Sequence, residues 1–115
     1  MIPERGDILH IQFDPASGKE LKGDHYCLVV SAKAFNERFK LAMVCPISSG
    51  AAANARDAGF LVPMMGTGSR LHGRGYCHQL KTIDWEARQA AFFEKAPDIV
   101  LKEVIDRILP VLEDE

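Results

Sequence analysis

Two short segments of almost unbroken apolar sequence constrain the fold of this chain most strongly. They are Tyr26-Cys27-Leu28-Val29-Val30-Ser31 and Leu41-Ala42-Met43-Val44-Cys45-Pro46-Ile47. Continuous apolar, β-branched runs of this length are typical of central strands that are buried on both faces. In residues 8–13, Ile8, His10 and Gln12 instead alternate with the apolar Leu9, Ile11 and Phe13. This alternation predicts a strand with one buried face. The predicted core is therefore a β-sheet with buried central strands.

Shorter elements are predicted between and after these strands. They are one helical turn at residues 32–36, a flexible loop at 48–58, a short strand at 59–63, a glycine-weakened strand at 73–80, a short helical turn at 84–88 and a final strand at 90–94. Glycine inside a strand often marks a bulge or a close approach of another backbone.

The C-terminal segment predicts an amphipathic helix that starts at Pro97 and Asp98. Its predicted apolar face consists of Ile99, Val100, Val104, Ile105, Ile108, Leu109 and Leu112. Pro110 is expected to end or kink this helix near Arg107. Burial of each such side chain contributes roughly 1.5 to 3 kcal/mol, so the face must dock on the sheet or on a partner. The predicted architecture is an antiparallel, partly closed sheet of about five to seven strands with this helix packed on it.

Length and composition favour one domain over residues 1–115. The 115 residues are 47% hydrophobic and 26% charged, which is ordinary for a globular chain with one core. No apolar run approaches the roughly 20 residues that a membrane helix requires, so a soluble, cytoplasmic protein without a membrane segment is expected. Cys27, Cys45 and Cys77 lie in apolar runs without metal-ligand spacing and are expected to be buried free thiols.

The charges are distributed unevenly along the chain. Its net charge of -2 excludes a protein that is basic throughout. Up to Lys81 there are 10 Lys and Arg against 7 Asp and Glu, and from Thr82 onward 4 against 9. This predicts a basic front and an acidic C-terminal element. Alternatively, most of these charges are solvated surface without a partner.

The polar, glycine-punctuated segment near the N-terminus carries the most specific motif. Gly6-Asp7-Ile8 is followed by Phe13-Asp14-Pro15, Gly18, Glu20 and Gly23. In order and spacing these residues resemble the opening of the MazF/PemK family of toxins, which are small sequence-specific endoribonucleases. Residues 54–60 resemble the family's Asn-Phe-Ala-Arg-x-Ala-Gly-Phe segment, and residues 78–84 its Asp-Gln-x-(Arg/Lys)-(Thr/Ser)-Ile-Asp segment. The resemblance covers the chain from Gly6 to Leu112.

The resemblance implies a mainly β fold with a C-terminal helix, in which the sheet forms the SH3-like, partly open β-barrel of the MazF, PemK and CcdB toxins. It also implies cleavage of single-stranded mRNA by 2′-hydroxyl attack, which leaves a 2′,3′-cyclic phosphate and a 5′-hydroxyl. No cofactor and no metal ion are expected. The implied partners are single-stranded RNA, a cognate antitoxin and a second copy of the chain, with operator DNA bound only through the antitoxin complex.

The family's acting residues are partly replaced in this chain. Glu20, Ser48 and Gln79 match family positions, but His25-Tyr26 stands where most members have Arg-Pro. Tyr76 and His78 stand where the PemK branch has an Arg and an Asp, and Lys19 replaces its loop histidine. The resulting catalytic candidates are Glu20, His25, Ser48, His78 and Gln79.

Our hypothesis for the mechanism gives His25 the role of the missing arginine. Lys19 or Lys22 would hold the phosphate, and Glu20 or His78 would accept the proton. Histidine suits proton transfer because it titrates near neutrality. Alternatively, His25 is a loop residue of no consequence and His78 is simply hydrogen-bonded in the sheet.

Proteins commonly bind single-stranded RNA through a combination of cationic and aromatic side chains. The candidates for RNA or phosphate binding are Lys19, Lys22, Arg56, Arg74, Lys81 and Tyr76, with Phe60 as a further stacking surface. Arg70 belongs either to this groove or to the solvated surface.

Three other functions compete with the ribonuclease. They are a catalytically impaired relative that only binds its antitoxin, a CcdB-like gyrase poison and a small SH3-like adaptor. The ribonuclease and the gyrase poison share one fold, so the fold alone does not distinguish them. The matching residues Glu20, Ser48 and Gln79 oppose the gyrase poison. A small SH3-like adaptor would require an aromatic binding groove, and an aromatic content of 8% is too low to supply one.

Overall fold

The computed structural model describes residues 1–12, 26–48, 57 and 59–113. Its strands are β1 (Asp7–His10), β2 (Tyr26–Val29), β3 (Ala42–Ser48), β4 (Leu61–Pro63), β5 (Arg74–Tyr76), β6 (Lys81–Ile83) and β7 (Ala91–Lys95). Its helices are α1 (Lys33–Phe39) and α2 (Asp98–Leu112), and a 3-10 turn covers Cys77–Gln79. Within these ranges no helix is long and apolar enough to cross a membrane.

The strands form one antiparallel sheet that is organised around β3. The strand order is β4-β5-β3-β2-β1-β7, and β6 also pairs with β3. β5 joins the C-terminal end of β3, where Ile47 pairs with Gly75, whereas β6 joins its N-terminal end, where Ala42 pairs with Ile83. The predicted antiparallel sheet of five to seven strands with a C-terminal helix is confirmed. Closure of that sheet into a barrel stays a prediction.

The sheet is buried on both faces. The helix-side core packs against α2 and contains Leu28, Cys45 and Ile47, whereas the opposite core contains Cys27, Val29, Val44 and Trp85. This alternation confirms that the two apolar segments form strands buried on both faces.

The prediction of a single buried face for the first strand is wrong. Ile8 and Leu9 are both fully buried, Ile8 in the helix-side core and Leu9 in the opposite core. The reason is that β1 is an interior strand, paired on one side with β2 and on the other with β7.

Helix α2 docks through one narrow stripe. Val100, Val104 and Ile108, spaced four residues apart, are its buried residues. The other predicted apolar positions Ile99, Leu109 and Leu112 are instead exposed. The helix does not end near Arg107 but continues through Pro110 to Leu112. Pro110 lies in the last turn and so removes one hydrogen bond only, while Glu113 N still donates to Leu109 O at 3.1 Å.

Two further elements differ in length from the predictions. The strand predicted at 73–80 ends at Tyr76 and gives way to the 3-10 turn, so His78 and Gln79 are not strand residues. The helical turn predicted at 32–36 is the two-turn helix α1, whose buried Asn36 donates to Pro3 O at 2.8 Å. A hydrogen bond from Asn36 to a residue 33 positions earlier is not visible as a local pattern.

Candidate active site

Ser48 and Arg74 lie opposite each other where β3 ends and β5 begins. Ser48 is buried, and Arg74 is exposed. Gly75 faces α2, because a Cβ atom at this position would lie 3.9 Å from Val104 Cγ2. Since alternate strand residues face opposite sides, Ser48, Arg74 and Tyr76 share the face that is turned away from α2. The sheet thus brings three of the predicted site residues together.

Tyr76 lies at the inner end of this group and is 2% exposed. Burial raises the pKa of its hydroxyl, and the negative charge of Asp57 raises it further, whereas Arg74 acts in the opposite direction. Tyr76 therefore remains a neutral hydroxyl at physiological pH.

His78 is bonded to the carboxylate of Asp57, which is not among the predicted site residues. Its Nε2 lies 2.9 Å from Asp57 Oδ1, and the two side chains are 24% and 11% exposed. His78 Nδ1 is buried and has no hydrogen-bond partner in the described part of the chain. One ring nitrogen of His78 is thus hydrogen-bonded, but to a partner outside the sheet. Asp57 occupies the variable position of the Arg-x-Ala-Gly-Phe motif, so nothing in that motif marks it.

Aromatic rings and backbone bonds hold this pair beside β5. The His78 ring lies 5.3 Å from the Phe60 ring and 6.1 Å from the Tyr76 ring, measured between centroids. Phe60 N donates to Asp57 O at 3.1 Å, and Cys77 N donates to Phe60 O at 3.0 Å. The turn that carries Asp57 is therefore tied to the turn that carries His78.

The remaining described candidates are Gln79, Lys81 and Arg70. Gln79 is half-buried at the end of the 3-10 turn. Lys81 pairs with Val44, four residues before Ser48, which is roughly 13 Å along β3. Arg70 lies 4.0 Å over the Phe93 ring and donates to Phe93 O. These contacts explain the position of the Arg70 side chain without a role in RNA binding.

Several predicted residues lie outside the described residues. They are Lys19, Glu20, Lys22, His25 and Arg56. Tyr26, which follows His25 directly, pairs with Ile47 next to Ser48. In the described ranges, no group of three or more His, Cys, Asp or Glu side chains is arranged to hold a metal ion.

Comparison with known proteins gives consistent matches along almost the whole chain. The family described as PemK-like, MazF-like toxin of type II toxin-antitoxin system matches residues 4–112. Endoribonuclease PemK of Escherichia coli is 38% identical over 109 residues, which cover 95% of this chain and 81% of the relative. Endoribonuclease toxin ChpB of Escherichia coli K12 is 40% identical over 111 residues, covering 96% and 94%.

The fold is similar to that of a solved member of the same group. The crystal structure of MazF from Deinococcus radiodurans superposes with a TM-score of 0.82 at 28% identity and covers 97% of both chains. The order of strands around β3 and the packing of α2 therefore belong to a known toxin fold.

Proposed function

The chain belongs to the PemK-like, MazF-like family of toxins of type II toxin-antitoxin systems and is an endoribonuclease, and we propose that it cleaves single-stranded mRNA at specific sequences without a metal ion. The observation that carries this proposal is the match over residues 4–112, since it includes both the sheet and the segments around the candidate site. The exposed Arg74 opposite Ser48 supports an RNA surface at this end of the sheet.

The proposed reaction is an intramolecular transesterification of RNA. The 2′-hydroxyl loses its proton as its oxygen bonds to the adjacent phosphorus, and the bond from phosphorus to the 5′-oxygen breaks as that oxygen gains a proton. The products are a 2′,3′-cyclic phosphate and a 5′-hydroxyl. Such a step needs a positioned base, a positioned acid and cationic or N–H donors near the phosphate.

We assign these roles to the candidate catalytic and phosphate-binding residues. His25 acts as the acid or phosphate stabiliser, Lys19 or Lys22 holds the phosphate, and Glu20 or His78 accepts the proton. Support for His25 comes from Tyr26, because its pairing with Ile47 brings the start of β2 beside Ser48. Ser48 and Gln79 are assigned to orienting the RNA backbone.

The RNA surface is proposed to extend from this centre over cations and aromatic rings. Arg74, Arg56 and Lys81 supply charge and Phe60 supplies a ring, whereas Tyr76 is 2% exposed and so presents no ring face for stacking. The 5.3 Å separation of the half-buried Phe60 and His78 rings supports an aromatic surface on this side.

The proposed partners follow from membership of a toxin-antitoxin family. They are a cognate antitoxin, through which operator DNA is bound, and a second copy of the chain, with action in the cytoplasm. Exposed apolar side chains support the dimer, since Leu109 and Leu112 line a groove of about 450 Å³ between α1 and α2 together with Phe35 and Met43. Light scattering at micromolar protein should give twice the mass of 12.7 kDa, and a monomer would oppose the dimer.

Cleavage of a long single-stranded RNA in EDTA, with the ends mapped, tests the proposed function. Wild-type protein and a His72→Ala control, altered at an exposed histidine, should cut at a short recurring sequence and leave cyclic phosphate. A His25→Ala variant should lose this cleavage. Unchanged cleavage by His25→Ala would refute the role of His25, and no cleavage by wild-type protein would favour an impaired relative or a gyrase poison.

A further inference from the structure

Asp57 and His78 form a carboxylate–imidazole pair at the edge of the candidate site. The family motif has its aspartate at the position of His78, whereas here the carboxylate stands at position 57 and reaches His78 Nε2 at 2.9 Å. We infer that Asp57 is a positioning residue, which holds His78 with its proton on Nε2 and leaves Nδ1 as the atom that accepts the 2′-hydroxyl proton. The inference rests on the proposed function.

Hydrogen-bonding capacity decides which ring nitrogen is basic. An ionised carboxylate can only accept a hydrogen bond, so His78 Nε2 must carry the proton that Asp57 accepts. The neutral ring then has its lone pair on Nδ1, which is buried and has no partner in the part of the chain that the structure describes. A buried acceptor without a donor is unfavourable, and a 2′-hydroxyl would satisfy it. Because Nδ1 is covered in the RNA-free protein, binding of RNA must uncover it.

Ring and backbone contacts hold the His78 ring beside Asp57. The Phe60 ring lies 5.3 Å from the His78 ring, and Phe60 N bonds to Asp57 O at 3.1 Å. Burial, and next the charge of Asp57, raise the pKa of Tyr76. The neutral Tyr76 hydroxyl adds no second negative charge beside the ring.

The pair completes the proton balance of the reaction. As O2′ bonds to phosphorus, its proton moves to His78 Nδ1, and the leaving 5′-oxygen takes a proton from the acid proposed at His25. The imidazolium that forms is stabilised by Asp57, which stays ionised throughout. Two residues, Asp57 and His78, thereby perform the task of one aspartate in the family motif.

Long-range ¹H–¹⁵N spectra of the full chain, labelled with ¹⁵N-histidine, test the tautomer directly. The chain has 4 histidines, and a His78→Gln variant identifies the signal of His78. Wild-type protein should show His78 protonated on Nε2, and Asp57→Asn should lose this single tautomer. Asp84→Asn is the matched control, because Asp84 accepts from Ala87 N in a separate turn and should leave the spectrum unchanged. Protonation on Nδ1 in wild-type protein, or an unchanged tautomer in Asp57→Asn, would overturn the inference.

Steady-state cleavage kinetics separate positioning from a purely structural role. Asp57→Asn should lower kcat by about 10²-fold, at the lower end of what a general base contributes, and leave KM unchanged. A rise in KM alone, or no loss of activity, would contradict the role in proton transfer. If wild-type protein shows the expected tautomer but cleaves no RNA, the proposed function and the proton transfer both fail, whereas the fixing of His78 by Asp57 is supported. Because Nδ1 protonation in the wild-type protein would by itself overturn the inference, the proposal stays testable even if Asp57→Asn fails to fold.

Discussion

Ser48 and Arg74 are paired across β3 and β5, with the serine buried and the arginine exposed. This pairing places a hydroxyl at the base of a surface whose rim carries a positive charge. Because both side chains are carried by paired backbone, the register of β3 and β5 fixes their relative position.

Replacement of Arg74 should weaken RNA binding in a salt-dependent way. If Arg74 contacts one phosphate, Arg74→Ala should reduce the slope of log affinity against log salt by about 0.7. Arg38→Ala on α1 is the control, since Arg38 is exposed but packs over Phe39 instead. Fluorescence anisotropy with a labelled single-stranded RNA at several salt concentrations measures both slopes. Equal slopes for wild-type protein and Arg74→Ala would remove Arg74 from the RNA surface.

Two glycines should respond in opposite directions to alanine. At Gly75 a Cβ atom would find only ordinary contacts, 3.8 Å from Val62 O and 3.9 Å from Val104 Cγ2. Gly75→Ala should therefore stabilise the protein by about 0.5 to 1 kcal/mol, because alanine loses less backbone entropy. Gly6 has a φ of +93°, so Gly6→Ala should destabilise it by roughly 1 to 2 kcal/mol. Urea unfolding measures both changes, and a loss of stability in Gly75→Ala would contradict this reading of the space around it.

The main β-strands could be predicted from the sequence because their burial leaves a local pattern. Leu28 and Val29 are adjacent and both buried, which a continuous apolar run indicates directly. The alternation in the first strand predicts only one buried face, because it does not reveal that β1 has a neighbouring strand on each side. Strand pairing is a long-range property, and residues 8–13 alone do not contain it.

The candidate site was only partly predictable for the same reason. Ser48 and Arg74 were selected separately, from a family match and from charge, and only the register of β3 and β5 joins them. Asp57 was not selected, because its partner His78 lies 21 residues away and no periodicity connects them. Lys81 was selected for its charge, although its pairing with Val44 places it well away from Ser48.

Asp7 should stabilise the fold through bonds at the start of β1. Its carboxylate accepts from Glu4 N at 2.9 Å and from Lys95 Nζ on β7, and it is 5% exposed. Asp7→Ala should cost about 1 to 3 kcal/mol, because a partly buried N–H loses its acceptor. Glu86→Ala, at an exposed turn position, should change stability by no more than about 0.5 kcal/mol. Urea midpoints at a constant m-value compare the two, and equal midpoints would oppose a structural role for Asp7.

The three buried cysteines should react with iodoacetamide in a fixed order. Burial raises the pKa of Cys27 to about 12, so at pH 8 only about one molecule in 10⁴ carries its thiolate. A hydrogen bond from the Cys45 thiol lowers the pKa of Cys77, and the same bond raises that of Cys45. Because the thiolate is the reactive form, Cys77 should be alkylated first, and the reactivity of Cys27 should increase only as the pH approaches 12. Peptide mapping by mass spectrometry after timed labelling measures the order, with the protein in urea as the control in which all three label alike. Labelling of Cys27 as fast as Cys77 in the native protein would contradict this order.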